Sequence, residues 1–99
     1  MNYTFHPEAI AELDDAVDYY NGCRLDLGWE FAGAVDATIQ SILAYPNGWT
    51  ALSRYTRRCL VNRFPYSVVY QVQEEGVLIV AVMQLNREPG YWRGRTAEP

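Results

Sequence analysis

The side chains best suited to chemistry sit in the last third of the chain. Arg57, Arg58 and Arg63 fall in one stretch, and Arg87, Tyr91, Trp92 and Arg95 in another. A guanidinium presents its N–H donors as a rigid fork that fits phosphate and carboxylate oxygens, and it stays protonated. Such a set binds anions well and transfers protons poorly. Arg87 and Arg95 bracket a Pro-Gly-Tyr-Trp turn behind an apolar run, a place where functional groups are held on a rigid base. The only histidine, His6, stands before Pro7 at an expected helix start and is read as structural. No Cys/His or Ser/His pairing suggests a general base, and no CxxC or Cys/His cluster suggests a metal. No cofactor is expected.

Each of these residues also has a plainer reading. Arg54, Arg57 and Arg58 suit solvated charges on a sheet edge, where they discourage edge-to-edge pairing. Tyr66 and Tyr70 suit packing. Trp92 suits closure over a sheet or an aromatic platform for a base. An ion pair with Glu74, Glu75 or Glu88 would account for Arg87 or Arg95.

Ninety-nine residues allow a single domain, 1–99. Apolar residues make up 49% of it, enough for a core, and a net charge of −4 does not favour disorder. That net charge is divided unevenly. Residues 1–53 carry eight acids and one base, whereas residues 54–99 carry seven arginines and four acids. Lysine is absent. No apolar run approaches the ~18 residues of a membrane span, and the N-terminus lacks a basic start and apolar run, so a cytoplasmic protein is expected. Cys23 and Cys59 are then expected as free, partly buried thiols.

These side chains need elements to hold them. Tyr3 and Phe5 alternate in a short first strand, Asn2 to Phe5. Pro7 and Glu8 open a helix whose apolar face is Ile10, Leu13, Val17 and Tyr20, with Ala9 and Ala16 beside it. Its outer face is Glu12, Asp14, Asp15 and Asp18, and Asn21-Gly22 ends it. Asp26 is the expected cap of a second helix with the stripe Phe31, Val35, Thr38, Ile39, Ile42 and Leu43. Ala32, Ala34 and Ala37 permit close approach to the first helix, Trp29 and Trp49 cover the second helix's ends, and Tyr45 to Gly48 stop it.

The period then changes. Arg58–Phe64 and Tyr66–Val72 read as strands around Pro65, and Glu74-Glu75-Gly76 as a hairpin turn. Val77–Met83, apolar throughout, reads as a strand buried on both faces. The fold class is α+β: a strand, a helical hairpin, then a three-stranded antiparallel meander. The hairpin covers one face of the sheet and leaves the other face, with its arginine-bearing ends, open to a partner.

Five stretches, in this order, resemble the RelE/ParE toxin superfamily, also called plasmid stabilisation proteins. They are Phe5-His6-Pro7-Glu8-Ala9 with Glu12-Leu13; Tyr19-Tyr20; Leu27-Gly28 with Phe31; Arg57-Arg58 through Arg63-Phe64-Pro65-Tyr66 and Val69-Tyr70; and Arg87 to Trp92 with Arg95. The resemblance implies a growth-inhibiting toxin of a type II toxin–antitoxin module, held inactive in a heteromeric complex by a cognate antitoxin. RelE-like members cut messenger RNA in the ribosome, and ParE-like members poison DNA gyrase. A third outcome keeps the fold as a non-toxic antitoxin-binding module.

For a RelE-like ribonuclease the resemblance makes Arg87 and Tyr91 the catalytic pair, with Arg58 and Arg63 as companions. The lysines of cleaving members are missing here, and Ser67 stands in the neighbourhood where such members often carry a base. An acidic first half would also repel ribosomal RNA. The ParE-like reading, aimed at gyrase, is therefore placed first, with Arg57, Arg58, Arg63, Arg87, Trp92 and Arg95 as the surface that docks antitoxin or target. An antitoxin segment that is acidic and apolar would meet residues 57–63 and 87–95.

Overall fold

A computed structural model describes residues 1–96; the end of the polar tail, residues 97–99, lies outside the described residues. The elements run β1 (Asn2–Phe5), α1 (Pro7–Cys23), α2 (Leu27–Ala44), β2 (Thr50–Ala51), β3 (Thr56–Leu60), β4 (Tyr66–Gln73), β5 (Gly76–Gln84) and a 3₁₀ turn at Arg93–Arg95. The meander β3–β4–β5 is antiparallel, as its turns require. β1 lies parallel beside β5, and the short β2 lies on the far side of β3, giving the order β1-β5-β4-β3-β2. The sheet is thus mixed, and the apolar β5 is flanked by strands on both sides.

α1 and α2 pack against one face. Phe31, Val35, Ile39 and Ile42 of α2 meet Val68, Tyr70, Ile79 and Val82 of the sheet. On α1 the seated residues are Ala9, Ala16 and Val17, with Leu13 and Tyr20 partly buried, while Ile10 is exposed. Small residues take the inward positions because the helix lies close to β5. Phe64-Pro65-Tyr66 belongs to the same core: Tyr20, Phe31, Phe64 and Tyr66 form a ring cluster with centroids 4.8–6.2 Å apart. This cluster pins the α1–α2 hairpin to the β3–β4 turn.

The helix junction differs from the sequence reading. Asn21 and Gly22 do not end α1, which continues to Cys23. Asp26 occupies the cap position of α2 in a left-handed conformation (φ 65°), and its side chain makes no capping bond. Asn21 supplies the acceptor instead, its Oδ1 taking the Gly28 N–H at 2.7 Å. A side chain at residue 28 would stand 2.2 Å from the Val17 carbonyl, so the close approach of the helices belongs to Gly28. Ala37 faces away, into a groove between α2 and β3. Trp49 does cover the end of α2, donating to the Ser41 carbonyl at 3.2 Å, whereas Trp29 is exposed.

β3 ends at Leu60, not at Phe64. Arg63 falls in the turn with φ 74°, a conformation that no strand residue adopts. β5 carries a bulge: Val69 pairs with Ala81 and Tyr70 with Ile79, so Val80 has no cross-strand partner. Strict alternation would place Val80 and Ala81 on opposite faces. Instead both join a second core with Val69, Met83 and Trp92. Val69 alternates with the helix-facing Val68 and Tyr70, so this second core lies on the sheet face away from the helices. The sequence reading left that face open; the tail covers part of it through Trp92, which is 3% exposed.

Candidate functional site

The uncovered edge of β5 organises the tail. β1 stops at Phe5, and after the His6 N–H donates to the Ile79 carbonyl the chain turns into α1. From Val80 onward β5 has no strand on that side, and its backbone groups need other partners. Glu12 of α1 and Arg95 of the tail supply them. Glu12 Oε1 accepts from the Val82 N–H at 3.0 Å, and Arg95 Nη1 donates to the Val80 carbonyl at 3.2 Å.

The two side chains also meet each other. Arg95 Nη1 and Nη2 donate to Glu12 Oε1 and Oε2 at 2.9 and 3.1 Å, and Arg95 Nε lies 3.5 Å from the Glu8 carboxylate. The side chains of Arg95 and Glu12 are only 11% and 18% exposed. Tyr91 completes the cluster, its O–H donating to Glu12 Oε2 at 2.7 Å. The guanidiniums of Arg87 and Arg95 stand 4.0 and 5.1 Å from the Tyr91 ring centre, as cation–π partners. Burial, and then the bond to the Glu12 carboxylate, push the Tyr91 phenol far above its ordinary value. The phenol is held protonated and its proton is directed at Glu12.

The remaining sequence-named residues separate into engaged and open groups. The Arg57 guanidinium donates to the Trp49 carbonyl at 2.7 Å. Arg63 pairs with Glu30 at 3.1 Å, a carboxylate shared with Arg24 at 3.2 Å. Those arginines hold the Glu30 carboxyl below its usual range, with the Arg63 hydrogen bond the largest cause. Arg95 is taken up by Glu12, and Trp92 by the second core. Tyr70 is fully buried, donates to the Pro46 carbonyl, and burial pushes its phenol up to about 12. His6 caps α1, its Nδ1 accepting from the Glu8 N–H. Cys23 is exposed and Cys59 buried, and both are free. Among the described residues no group of three His, Cys, Asp or Glu side chains could hold a metal ion.

Arg58 and Arg87 have no carboxylate partner among the described residues, although Arg87 lies over the Tyr91 ring, and they share a setting. With Arg93 they border a hollow of about 170 Å³ on the second face of the sheet, lined by Leu52, Met83, Leu85 and Trp92. Arg58 also borders a larger groove of about 630 Å³ between α2 and β3, together with Ala34, Ala37, Leu60 and Arg63.

Glu12 is the residue that sequence reasoning misplaced, by assigning it to the solvated face of α1. The signal was there in its spacing. Glu8 and Glu12 lie one helical turn apart and share a side of α1 next to Ala9, Leu13 and Ala16, so both can reach one cation beyond the helix. Leu52, Met83 and Leu85 were missed because their role depends on where the tail crosses the sheet.

Residues 3–89 match the family described as the ParE toxin of the type II toxin–antitoxin system, parDE. Among solved structures the chain is similar to one of the chromosomal ParDE TA system from P. aeruginosa. That likeness has a TM-score of 0.75 and 16% sequence identity, over 87% of this chain and 97% of the other, and is a likeness of fold. No curated protein sequence matches the chain.

Proposed function

Since the chain belongs to the ParE toxin family of type II toxin–antitoxin systems, we propose that it arrests growth as a binding poison of DNA gyrase and is neutralised in a heteromeric complex with a cognate antitoxin. One observation carries the choice of a binding poison over a ribosome-dependent messenger ribonuclease: the committed state of Tyr91. Cleavage at a ribose 2′-hydroxyl needs a group to take or give a proton beside cations that stabilise the phosphate. The Tyr91 O–H already donates to Glu12, with its phenol held protonated, and His6 is used as a helix cap. Arginines alone can hold a phosphate but do not cycle a proton.

A poison without chemistry of its own needs rigid surfaces. The α1–α2 hairpin offers one, pinned by the aromatic cluster and carrying exposed Tyr19, Leu25 and Trp29 near its turn. No helix among the described residues is long and apolar enough to cross a membrane. The reading places action in the cytoplasm, where gyrase works.

The test is induced expression from a tight promoter, with DNA, RNA and protein synthesis followed by pulse labelling, alongside supercoiling by purified gyrase. DNA synthesis should fail first and supercoiling should stall or leave cleaved DNA. Immediate loss of translation with cut messenger would instead establish the ribonuclease. Unaffected growth would leave a non-toxic antitoxin-binding module.

A further inference from the structure

The two edges of the sheet are not guarded equally. Proteins keep sheet edges from pairing with short strands, charges, prolines, bulges or covering groups. The β2 edge is two residues long and stands beside Arg57 and Arg58. The stretch of β5 beyond β1 is covered by Glu12 and Arg95. β1 is twice the length of β2 and carries none of these other devices. Asn2-Tyr3-Thr4-Phe5 is uncharged and free of proline, and the strand order of the sheet ends on it.

The register of β1 fixes which of its backbone groups lie open. The His6 N–H donates to the Ile79 carbonyl, and Phe5 stands opposite Ile79. Parallel pairing then turns the N–H and C=O of Thr4 toward β5, and alternation along the strand turns those of Tyr3 and Phe5 away from it. Among the described residues no other part of the chain bonds to these outward groups. A strand laid antiparallel on this edge would exchange two bonds with Tyr3 and two with Phe5.

We propose that the occupant is a second copy of this chain, its β1 antiparallel to this β1 about a two-fold axis at Thr4. The register is self-complementary, as an isologous interface requires. Tyr3 faces Phe5 of the partner copy, Phe5 faces the partner copy's Tyr3, and Thr4 faces Thr4. Every outward N–H and C=O of Tyr3 and Phe5 is then bonded. Those two rings lie partly buried on the helix side, in edge contact at 5.9 Å, and pairing adds an aromatic neighbour across the axis to each. On the other side the exposed Thr4 gains a threonine pair. No like charges meet at the axis, and the two sheets become one, with both helical hairpins on the same face. Four residues a side bury much less than the ~1,200 Å² of a standard interface, so the dimer is weak and reversible. It does not depend on the target assigned above.

The test is sedimentation equilibrium of the full chain up to ~1 mM, a weak-binding range, with amide spectra of isotope-labelled protein along the same series. A dimer should form. The Tyr3 and Phe5 amides should shift along its binding curve, and the Thr4 amide, which already faces β5, should move least. Thr4→Lys sets two like charges across the axis and should weaken association about fivefold or more, and Thr4→Glu should do the same. An equal mixture of the two variants should recover it, because opposite charges then meet. That recovery separates a lost contact from a lost fold. Gln40→Lys, exposed on α2, should leave association unchanged.

A monomer throughout the series overturns the proposal. So does association that leaves the Tyr3 and Phe5 amides unmoved, which would place the contact on another surface. Undiminished association of Thr4→Lys, or no recovery in the mixture of folded variants, overturns it as well.

Discussion

Glu12 on the first helix and Arg95 near the end of the chain, 83 residues apart, form a two-pronged ion pair at 2.9 and 3.1 Å that also closes the open edge of β5. The pair sits where β1 has ended and the bulge has freed the Val80 carbonyl. One contact thus ties the tail to α1, satisfies the strand edge and fixes Tyr91.

Removing one member should be costly, since the other is left mostly buried, Glu12 without a cation and Arg95 with only its longer contact to Glu8. Glu12→Ala is expected to lower unfolding stability by about 3 kcal/mol. Arg95→Ala in the same background should add little, because the partner is already gone. Urea titrations of the two single variants and the double variant measure this. Simple additivity would show that the pair does not act as a unit.

Tyr91→Phe removes one hydrogen bond and keeps the ring between its neighbours. It should cost about 1 kcal/mol and leave growth arrest intact. Loss of toxicity in a variant that remains folded would point to chemistry at the phenol and favour the ribonuclease.

Gly28→Ala and Gly33→Ala should move stability in opposite directions, although both lie in α2. A Cβ at 28 meets the Val17 carbonyl, and overpacking there should cost about 1–3 kcal/mol. A Cβ at 33 meets nothing within 4 Å, so helix propensity should add up to about 1 kcal/mol. Thermal melts of both variants decide it, and the same sign for both would refute the account of the helix crossing.

Alkaline titration should reveal Tyr70 and Tyr91 as late to ionise. Their folded-state values are raised, so the stability they contribute is fully present below the unfolded tyrosine value of about 10 and is lost as pH rises above it toward the folded values. Tyrosinate absorbance from Tyr70 and Tyr91 should rise only as the protein unfolds. Early ionisation of all eight tyrosines before unfolding would contradict this.

On the acid side, Glu30 has the opposite sign. Its folded value is lowered by Arg63 and Arg24, so its contribution is present above the ordinary carboxylate value and is lost as pH falls through the folded one. Glu30→Gln should flatten that part of the stability profile, with a salt-sensitive difference because the pair is exposed. An unchanged acid profile at low salt would show that the Arg63 turn does not depend on Glu30.

The sequence by itself determined the two helices, four of the five strands and the fold class. Period-3.6 stripes gave two helices, and the unbroken apolar run from Val77 gave a strand buried on both faces, because periodicity is a local property of the chain. The family was legible in the order of its short motifs. What the tertiary structure decided is which charges remain open. Arg58, Arg63, Arg87 and Arg95 look alike in sequence, but Glu30 takes Arg63 and Glu12 takes Arg95 across 33 and 83 residues. Arg58 and Arg87 are left beside a hollow that exists only because Trp92 folds back onto the sheet. An ion pair depends on distance in space, which spacing along the chain does not encode. For Arg95 the choice was made by the early end of β1, which leaves the Val80 carbonyl and Val82 N–H to the tail and Glu12, and for Arg63 by the turn that sets it beside Glu30.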